Sequence, residues 1–511
     1  MKKNNSSVQE IILSIIAAIV AIAIFLKAMI DLDHNYDVGW YQLPFAARIW
    51  GIVPAEFFQA DNSIEHRFDG FPLLANFFQG LLWKVTGQIQ ATNLVGYFSL
   101  IIYFLVLRSQ FQIPLYLSAI ALFSIPAVLT HAPTSMVDLP GNIGVSILIM
   151  MTYKFFRSSK LPSKTELIIT FLGAAAAVNI KPQLQPLVLV IYCLVGLRLI
   201  WLYLTHVRAA QRRLWLVAPL SIIASGLIFF TPIKNLAIYG NPFYPIKIEV
   251  AGIVLNHKLP VKAYSEGERA KKWLRSILEI KTPQWSVDQW NQNDDRYLDR
   301  GGGFFGAYVV FNLLLLVSLT IREQWQNRQP SPPKKSHDAA TALITTLLMS
   351  LIPANFPQSH ELRYFMFWMI TLVSLNLYLI TSIQNQAAKW LKPKHLGLVY
   401  LLFLGIVLTK IDSSYFKPQF RTLDKYLASS VKPELLKQMS PNARNCLISR
   451  HAIIDPDAVP FASIANAFFY SSYFHPEIKH EYKIKVAVDP QGCDDLKVIP
   501  PNAQDYIPKD T

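Results

Sequence analysis

Long apolar runs separated by short polar stretches dominate the chain. Residues 11–30, IILSIIAAIVAIAIFLKAMI, form the first, with a single charge inside it. At 1.5 Å per residue, a helix of this length crosses the roughly 30 Å hydrocarbon layer of a membrane. It lacks the small-residue cleavage site of a signal peptide and is long for one, so it reads as a retained span with Lys2 and Lys3 on the inner side. Ten further runs lie near 92–107, 114–130, 139–156, 166–180, 183–203, 215–231, 303–321, 339–353, 363–383 and 395–410, giving eleven expected spans. The stretch 72–86, PLLANFFQGLLWKVT, is shorter and carries Asn76, Gln79 and Lys84, so hydropathy alone does not decide it.

Charge resolves the ambiguity. If 72–86 lies along the outer interface as an amphipathic helix, the loops left inside hold Lys154, Arg157, Lys160 and Lys164; Arg198, Arg208, Arg212 and Arg213; Arg322, Arg328, Lys334 and Lys335; and Lys389, Lys392 and Lys394. The short outer segments then carry only Lys181 and Arg363. If 72–86 crossed, every later loop would invert and break the positive-inside bias. Three larger parts face outward on this reading: 31–91, 232–302 and 411–511. The division is a membrane module over 1–410 and an outer C-terminal domain over 411–511. In the tail, CLISRHAII and YKIKVAV look like strands and 461–473 like a helix, which suggests a small α/β cap. The expected fold is thus mostly α: a polytopic membrane protein of about eleven transmembrane helices, outer juxtamembrane helices and a small α/β outer domain.

Composition agrees. Of 511 residues, 52% are apolar and 16% charged, well short of the quarter usual in soluble domains, and a soluble enzyme or a disordered chain is excluded. The formal charge is +15, but from Asp412 onward twelve basic residues balance twelve acidic ones. No basic stripe interleaved with aromatics appears, and nucleic acid is not an expected partner. Cys446 and Cys493 both fall in the outward tail, where a disulfide or two free thiols are open alternatives; Cys193 lies in a span, as packing. The outer segments carry no N-x-S/T sequon, which leans toward a bacterial inner membrane with the N-terminus cytoplasmic and the tail periplasmic.

Four outer segments hold candidate chemistry. In DLDHNYDVGWYQLPFAARIWG, Asp31 reads as a solvated helix end, whereas Asp37 precedes an aromatic and amphipathic stretch beginning at Trp40 and Tyr41. A carboxylate held over such a surface suits a general base. In HAPTSMVDLP, Asp138 is either a helix cap or a site residue, and His131 and Asp138 together could hold a substrate hydroxyl or a metal, although the spacing is no known metal pattern. In TPIKNLAIYGNPFYPIK, Lys234 either snorkels or binds phosphate. In SHELRYF, Arg363 sits where an arginine is costly without an anion, and its planar fork suits phosphate. With Lys181, these cations lie at one depth beside outward carboxylates. That pattern fits a lipid-linked phosphate, with structural ion pairs as the other reading.

Taken in order, these segments resemble the GT-C superfamily of integral membrane glycosyltransferases, which includes bacterial lipid A aminoarabinose transferases and protein O-mannosyltransferases. YDVGWYQLPFAARIWG looks like their first outer loop, with Gln42 where a His is frequent. GFPLLANFFQGLLWKVTG looks like their juxtamembrane helix, TSMVDLP like their second acidic loop, and HELRYF like their late outer R-Y element. KNLAIYGNPFYP is similar to an R-N-y-x-x-x-G-N-P-x-y-P signature, with Lys234 at the Arg position. The resemblance spans roughly 10–410. It implies inverting transfer of a hexose or pentose from a polyprenyl-phosphate-linked donor to a glycan, lipid or protein. It implies Asp37 as base, Asp138 positioning the acceptor or a metal, and Arg363, Lys181 and Lys234 on the donor phosphate. Asp33, Tyr41, His131, Tyr239, Asn241 and His360 would line the sugar or acceptor site. Members differ in metal dependence, so a divalent cation stays open. A lipid-substrate transporter or flippase would instead need polar groups at mid-membrane and internal repeats. An oligosaccharide polymerase or ligase would share the donor and the outer face.

Overall fold

The structure is a computed structural model that describes residues 8–33, 35, 37–53, 62–205, 219–250, 252–259, 268–278, 303–328, 337–356, 358–382, 392–431, 433–439, 445–448, 468–476, 485–487 and 497–499. It is mostly helical. Among the described residues, eight helical segments are long and apolar enough to span a membrane: 8–30, 89–111, 138–157, 182–205, 306–327, 338–355, 362–382 and 393–410. A ninth candidate is a pair of helices, Pro219–Ile228 and Phe230–Tyr239, bent by 72°.

The helices in chain order are α1 (Val8–Ile30), α2 (Leu43–Ile49), α3 (Asn62–Gly70), α4 (Leu74–Thr86), α5 (Leu94–Phe111), α6 (Leu115–Phe123), α7 (Pro126–His131), α8 (Asp138–Arg157), α9 (Lys164–Ile180) and α10 (Gln185–Thr205). The bent pair is α11 and α12. There follow α13 (Arg269–Leu278), α14 (Gly306–Asn327), α15 (Asp338–Asn355), α16 (Met366–Ser382), α17 (Pro393–Lys410), α18 (Leu423–Ser430) and α19 (Pro433–Gln438).

Three of the eleven expected spans take a different form; one is the run 215–231, whose described part, from 219, belongs to the bent pair. The run 114–130 is divided into α6 and α7, because Pro126 has no N–H to continue the helix and holds Ile125 in an extended conformation (φ −92°, ψ 110°). Both pieces are buried in the bundle. The run 166–180 is α9, only 17 residues long, opened by a Ser163–Glu166 capping box. α8 and α9 touch at Gly144 and Gly173: a β-carbon on Gly144 would lie 2.7 Å from the Gly173 carbonyl oxygen. Deeper in the bundle, Asn376 and Tyr400 both donate to the Asn312 side-chain oxygen, as polar groups between spans do. Cys193 is exposed on α10 rather than packed.

The 72–86 stretch is the helix α4, closed by a left-handed Gly87. Its ambiguous polar residues turn inward. Asn76 donates to the Gln42 carbonyl (3.1 Å) and Gln79 to that of Ser135 (2.6 Å), while Phe77 and Phe78 face outward.

The bundle has two chemically distinct ends. At one, Lys154 pairs with Glu166 (2.7 Å) and Arg157 with Asp338. At the other, the end of α1, the start of α8, the end of α9 and the start of α16 converge, and the candidate site residues gather there.

In the tail, β1 (Asn445–Ile448) lies between β2 (Lys485–Ala487) and β3 (Lys497–Ile499), parallel to both. The expected helix at 461–473 differs: 461–467 are outside the described residues, and Phe468–Tyr470 is a 3-10 turn. Cys493 also lies outside them, and with it any pairing to Cys446. Tyr426, Phe468, Phe469 and Phe474 pack in one apolar cluster with Leu32, Val38, Leu43 and Trp83. The tail is therefore seated on the loop that carries Asp37.

Candidate functional site

Asp37 opens a π-helical turn, Val38–Gln42, that runs into α2. Pro44 has no N–H to close an α-type bond, and the Leu43 amide reaches back five residues to the Val38 carbonyl. This turn buries Trp40 and Gln42 and leaves Asp37 about one-quarter exposed. Tyr41 stands beside it, edge-on to Phe71. Burial, with the Asp37 charge behind it, holds the Tyr41 phenol well above its usual pKa, so it stays a hydroxyl at neutral pH.

Arg363 reaches the same place from the far end of the sequence. It sits in a 3-10 turn, Leu362–Phe365, ahead of α16. Asn142 on α8 fixes that turn: its amide donates to the Arg363 carbonyl (3.1 Å) and its oxygen accepts from the Phe367 amide (2.9 Å). Two guanidinium nitrogens are hydrogen-bonded, and the third, Nε, is buried beside a carboxylate without a hydrogen bond. Nη1 donates to Asp37 Oδ2 (3.1 Å), Nη2 to the Tyr364 hydroxyl (3.2 Å), and Nε lies 3.3 Å from Glu361 Oε2.

Lys181, at the end of α9, is buried and pairs with the buried Asp138 carboxylate at the start of α8. Its ammonium also lies 3.9 Å from the centre of the Tyr364 ring, and the Arg363 guanidinium lies 5.0 Å from the same ring. Tyr364 thus stands beside both cations, an arrangement its negative π-face favours. Asp37, Tyr41, Phe71, Lys181, Gln183 and Tyr364 line a cavity of about 50 Å³. A water's share of liquid volume is about 30 Å³, so the cavity holds one or two waters and must widen for a sugar.

The other sequence-predicted residues stand apart from this cluster or support it. Asp33 accepts from the Ser135 amide (3.0 Å) and the Asn35 amide (2.9 Å), tying the first outer loop to the second. Burial raises its pKa against the pull of those bonds. Buried His131 sets Nδ1 on the Ala127 carbonyl (2.8 Å). Lys234 donates to the Asp69 carbonyl, and its neighbour Asn235 to the Gly70 carbonyl (2.7 Å). Tyr239 stacks on Tyr244 at 3.9 Å, and Asn241 donates to the carbonyls of Ile246 and Asn256. The KNLAIYGNPFYP segment therefore builds the corner behind Phe71 and Pro72. His360 is buried in the turn leading to Arg363. Among the described residues, no group of three or more His, Cys, Asp or Glu is arranged to hold a metal. With Asp138 committed to Lys181, these residues do not form a divalent-cation cage.

Sequence reading missed four contributors. Asn142 carried a signal, being a polar residue within an apolar run. Glu361 and Tyr364 sit beside Arg363 in SHELRYF and were legible only as neighbours. Arg67 on α3 is buried, with its guanidinium 4.4 Å from the Trp40 ring centre. Asp31, read as solvated, is 2% exposed.

No protein-family model matches the sequence, and no curated protein matches it. Solved structures similar to the chain include two crystal structures of ArnT from Cupriavidus metallidurans. The one in the apo state is 11% identical, with a TM-score of 0.47, over 93% of this chain and 85% of that one. The one bound to undecaprenyl phosphate is 12% identical, also with a TM-score of 0.47, over 96% of this chain and 89% of that one.

Proposed function

We propose that the chain is an integral membrane glycosyltransferase that moves a sugar from a polyprenyl-phosphate-linked donor to an acceptor at the outer face of a bacterial inner membrane. One observation carries the reading: Asp37 and Lys181, distant in sequence, line one cavity at one end of an apolar bundle, with Arg363 paired to Asp37 and Asp138 to Lys181. A long-chain lipid donor partitions into the bilayer and holds its phosphate at the interface, where its enzyme needs both cations and a carboxylate.

In this mechanism Asp37 takes the proton of the acceptor hydroxyl. The freed oxygen forms a bond to the anomeric carbon from the face opposite the phosphate, and the bond from that carbon to the phosphate oxygen breaks, inverting the centre. Lys181 and Arg363 stabilise the charge growing on the departing phosphate. Asp138 holds the Lys181 ammonium, and the Tyr41 hydroxyl offers a hydrogen bond to the sugar. Lys234, bound to the Asp69 carbonyl, supports the wall.

The test is mass spectrometry of envelope glycans and exported proteins in a deletion strain, alone and carrying the wild-type gene. A sugar lost on deletion and restored with the gene supports the reading. An unchanged glycan profile together with loss of lipid export would favour the transporter.

A further inference from the structure

Asp31 is buried two residues before Asp33 and six before Asp37, and it binds the peptide that leads into the tail. Its carboxylate accepts from the Gln419 amide (2.8 and 3.1 Å to its two oxygens), the Arg421 amide (2.9 Å) and the Lys27 ammonium (2.8 Å). The next residue returns the contact, with the Leu32 amide donating to the Arg421 carbonyl (2.6 Å). The conformation of Phe420 makes this possible. Its φ is +55°, in the left-handed region. A left-handed residue between two amides lets both point into one concavity, an anion-binding nest. Phe420 is 59% exposed, so its side chain does not explain its backbone. Asn93 joins the opposite side, donating to the Asp31 carbonyl (2.8 Å) and accepting from the Ser135 hydroxyl (2.6 Å).

We infer that Asp31 and the 419–421 nest form a clamp by which the C-terminal segment positions the Asp37 turn. Asp31 is a positioning residue, and the segment after α17 is part of the site's framework. The consequence for transfer rests on Asp37 being the base; the consequence for the turn's rigidity does not. Burial disfavours the Asp31 charge, but the Lys27 ammonium and the two amides outweigh it and hold the carboxyl below its usual range. The clamp is therefore charged at neutral pH. Asparagine at 31 would set an NH2 donor against donors and lose an acceptor. Proline at 420 would fix φ near −65° and break the nest without touching Asp31. Glycine at 420 keeps the left-handed turn.

The experiment uses the full chain in lipid nanodiscs, with amide hydrogen exchange across 33–42 as the readout. Asp31→Asn and Phe420→Pro each speed that exchange at least about tenfold and leave 366–382 unchanged, whereas Phe420→Gly stays within about twofold of wild type. In the deletion strain, at equal membrane abundance, the first two variants lower the sugar-bearing product by about a hundredfold, as a displaced reacting group does, and Phe420→Gly retains it. Unchanged exchange at 33–42 in both Asp31→Asn and Phe420→Pro overturns the inference. So does faster exchange with undiminished product. If Asp37→Asn itself still makes product, the base assignment fails while the exchange result stands.

Discussion

On the proposed function, Asp37→Asn is expected to lower sugar transfer steeply while the protein still folds and inserts. Loss of a positioned general base costs about 10²- to 10⁴-fold, and a drop near a thousandfold in turnover is expected. Folding is spared for a structural reason: the asparagine oxygen can still accept from Arg363, and the guanidinium keeps Glu361 and the Tyr364 hydroxyl. Glu361 remains as the counter-charge of Arg363, so no uncompensated charge is stranded. Donor affinity, carried by cations on α9 and at the start of α16, stays within about threefold, the pattern of an interaction made in the transition state alone. Turnover within tenfold of wild type would remove Asp37 from the chemistry.

The second large effect concerns the Lys181–Asp138 pair. Both side chains are almost inaccessible, at 8% and 2% exposure. Lys181→Met leaves the Asp138 carboxylate buried without its counter-charge, and Asp138→Asn does the converse; each costs about 3–5 kcal/mol. The double variant Lys181→Met/Asp138→Leu removes both charges, and apolar replacement of a buried pair is often neutral or better. The melting temperature should fall sharply in each single variant and return toward wild type in the double. Function separates from stability there. The stable double variant binds undecaprenyl phosphate at least about tenfold more weakly, since a desolvated cation has been removed from the phosphate's position. Single variants that melt like wild type, or a double variant with undiminished lipid binding, would reduce the pair to packing.

The helices were legible because each needs only local information: a run of apolar residues, its length and its flanking charges. The same holds for α4, whose Asn76 and Gln79 made it a poor span and are buried against Gln42 and Ser135. Asp37, Asp138, Lys181 and Arg363 were legible as charges at span ends on one expected side, and they lie together. Their partners were not. Asp31 looks like a solvated helix end until Gln419 and Arg421, nearly four hundred residues later, supply its amides. Asn142 gains its purpose only when α16 packs beside α8. The break at Pro126 was visible in the sequence, but apolar residues on both sides mask it in a hydropathy reading. Lys234 has the composition of a phosphate ligand. Lys234 donates to the Asp69 carbonyl and its neighbour Asn235 to the Gly70 carbonyl, contacts no linear pattern encodes.

The cavity holds only a water or two, and Arg363 is engaged by Asp37, Tyr364 and Glu361, so donor entry requires the walls to part and the arginine to share its contacts. The decisive measurement is a cryo-EM structure of the full chain in nanodiscs with undecaprenyl phosphate. The account predicts a phosphate within about 3 Å of the Lys181 ammonium or the Arg363 guanidinium, its chain leaving along the apolar helices, and the Asp37 carboxylate facing the same widened cavity. A phosphate bound at the Arg157–Asp338 end, or one seated where Asp37 cannot face it, would contradict the account.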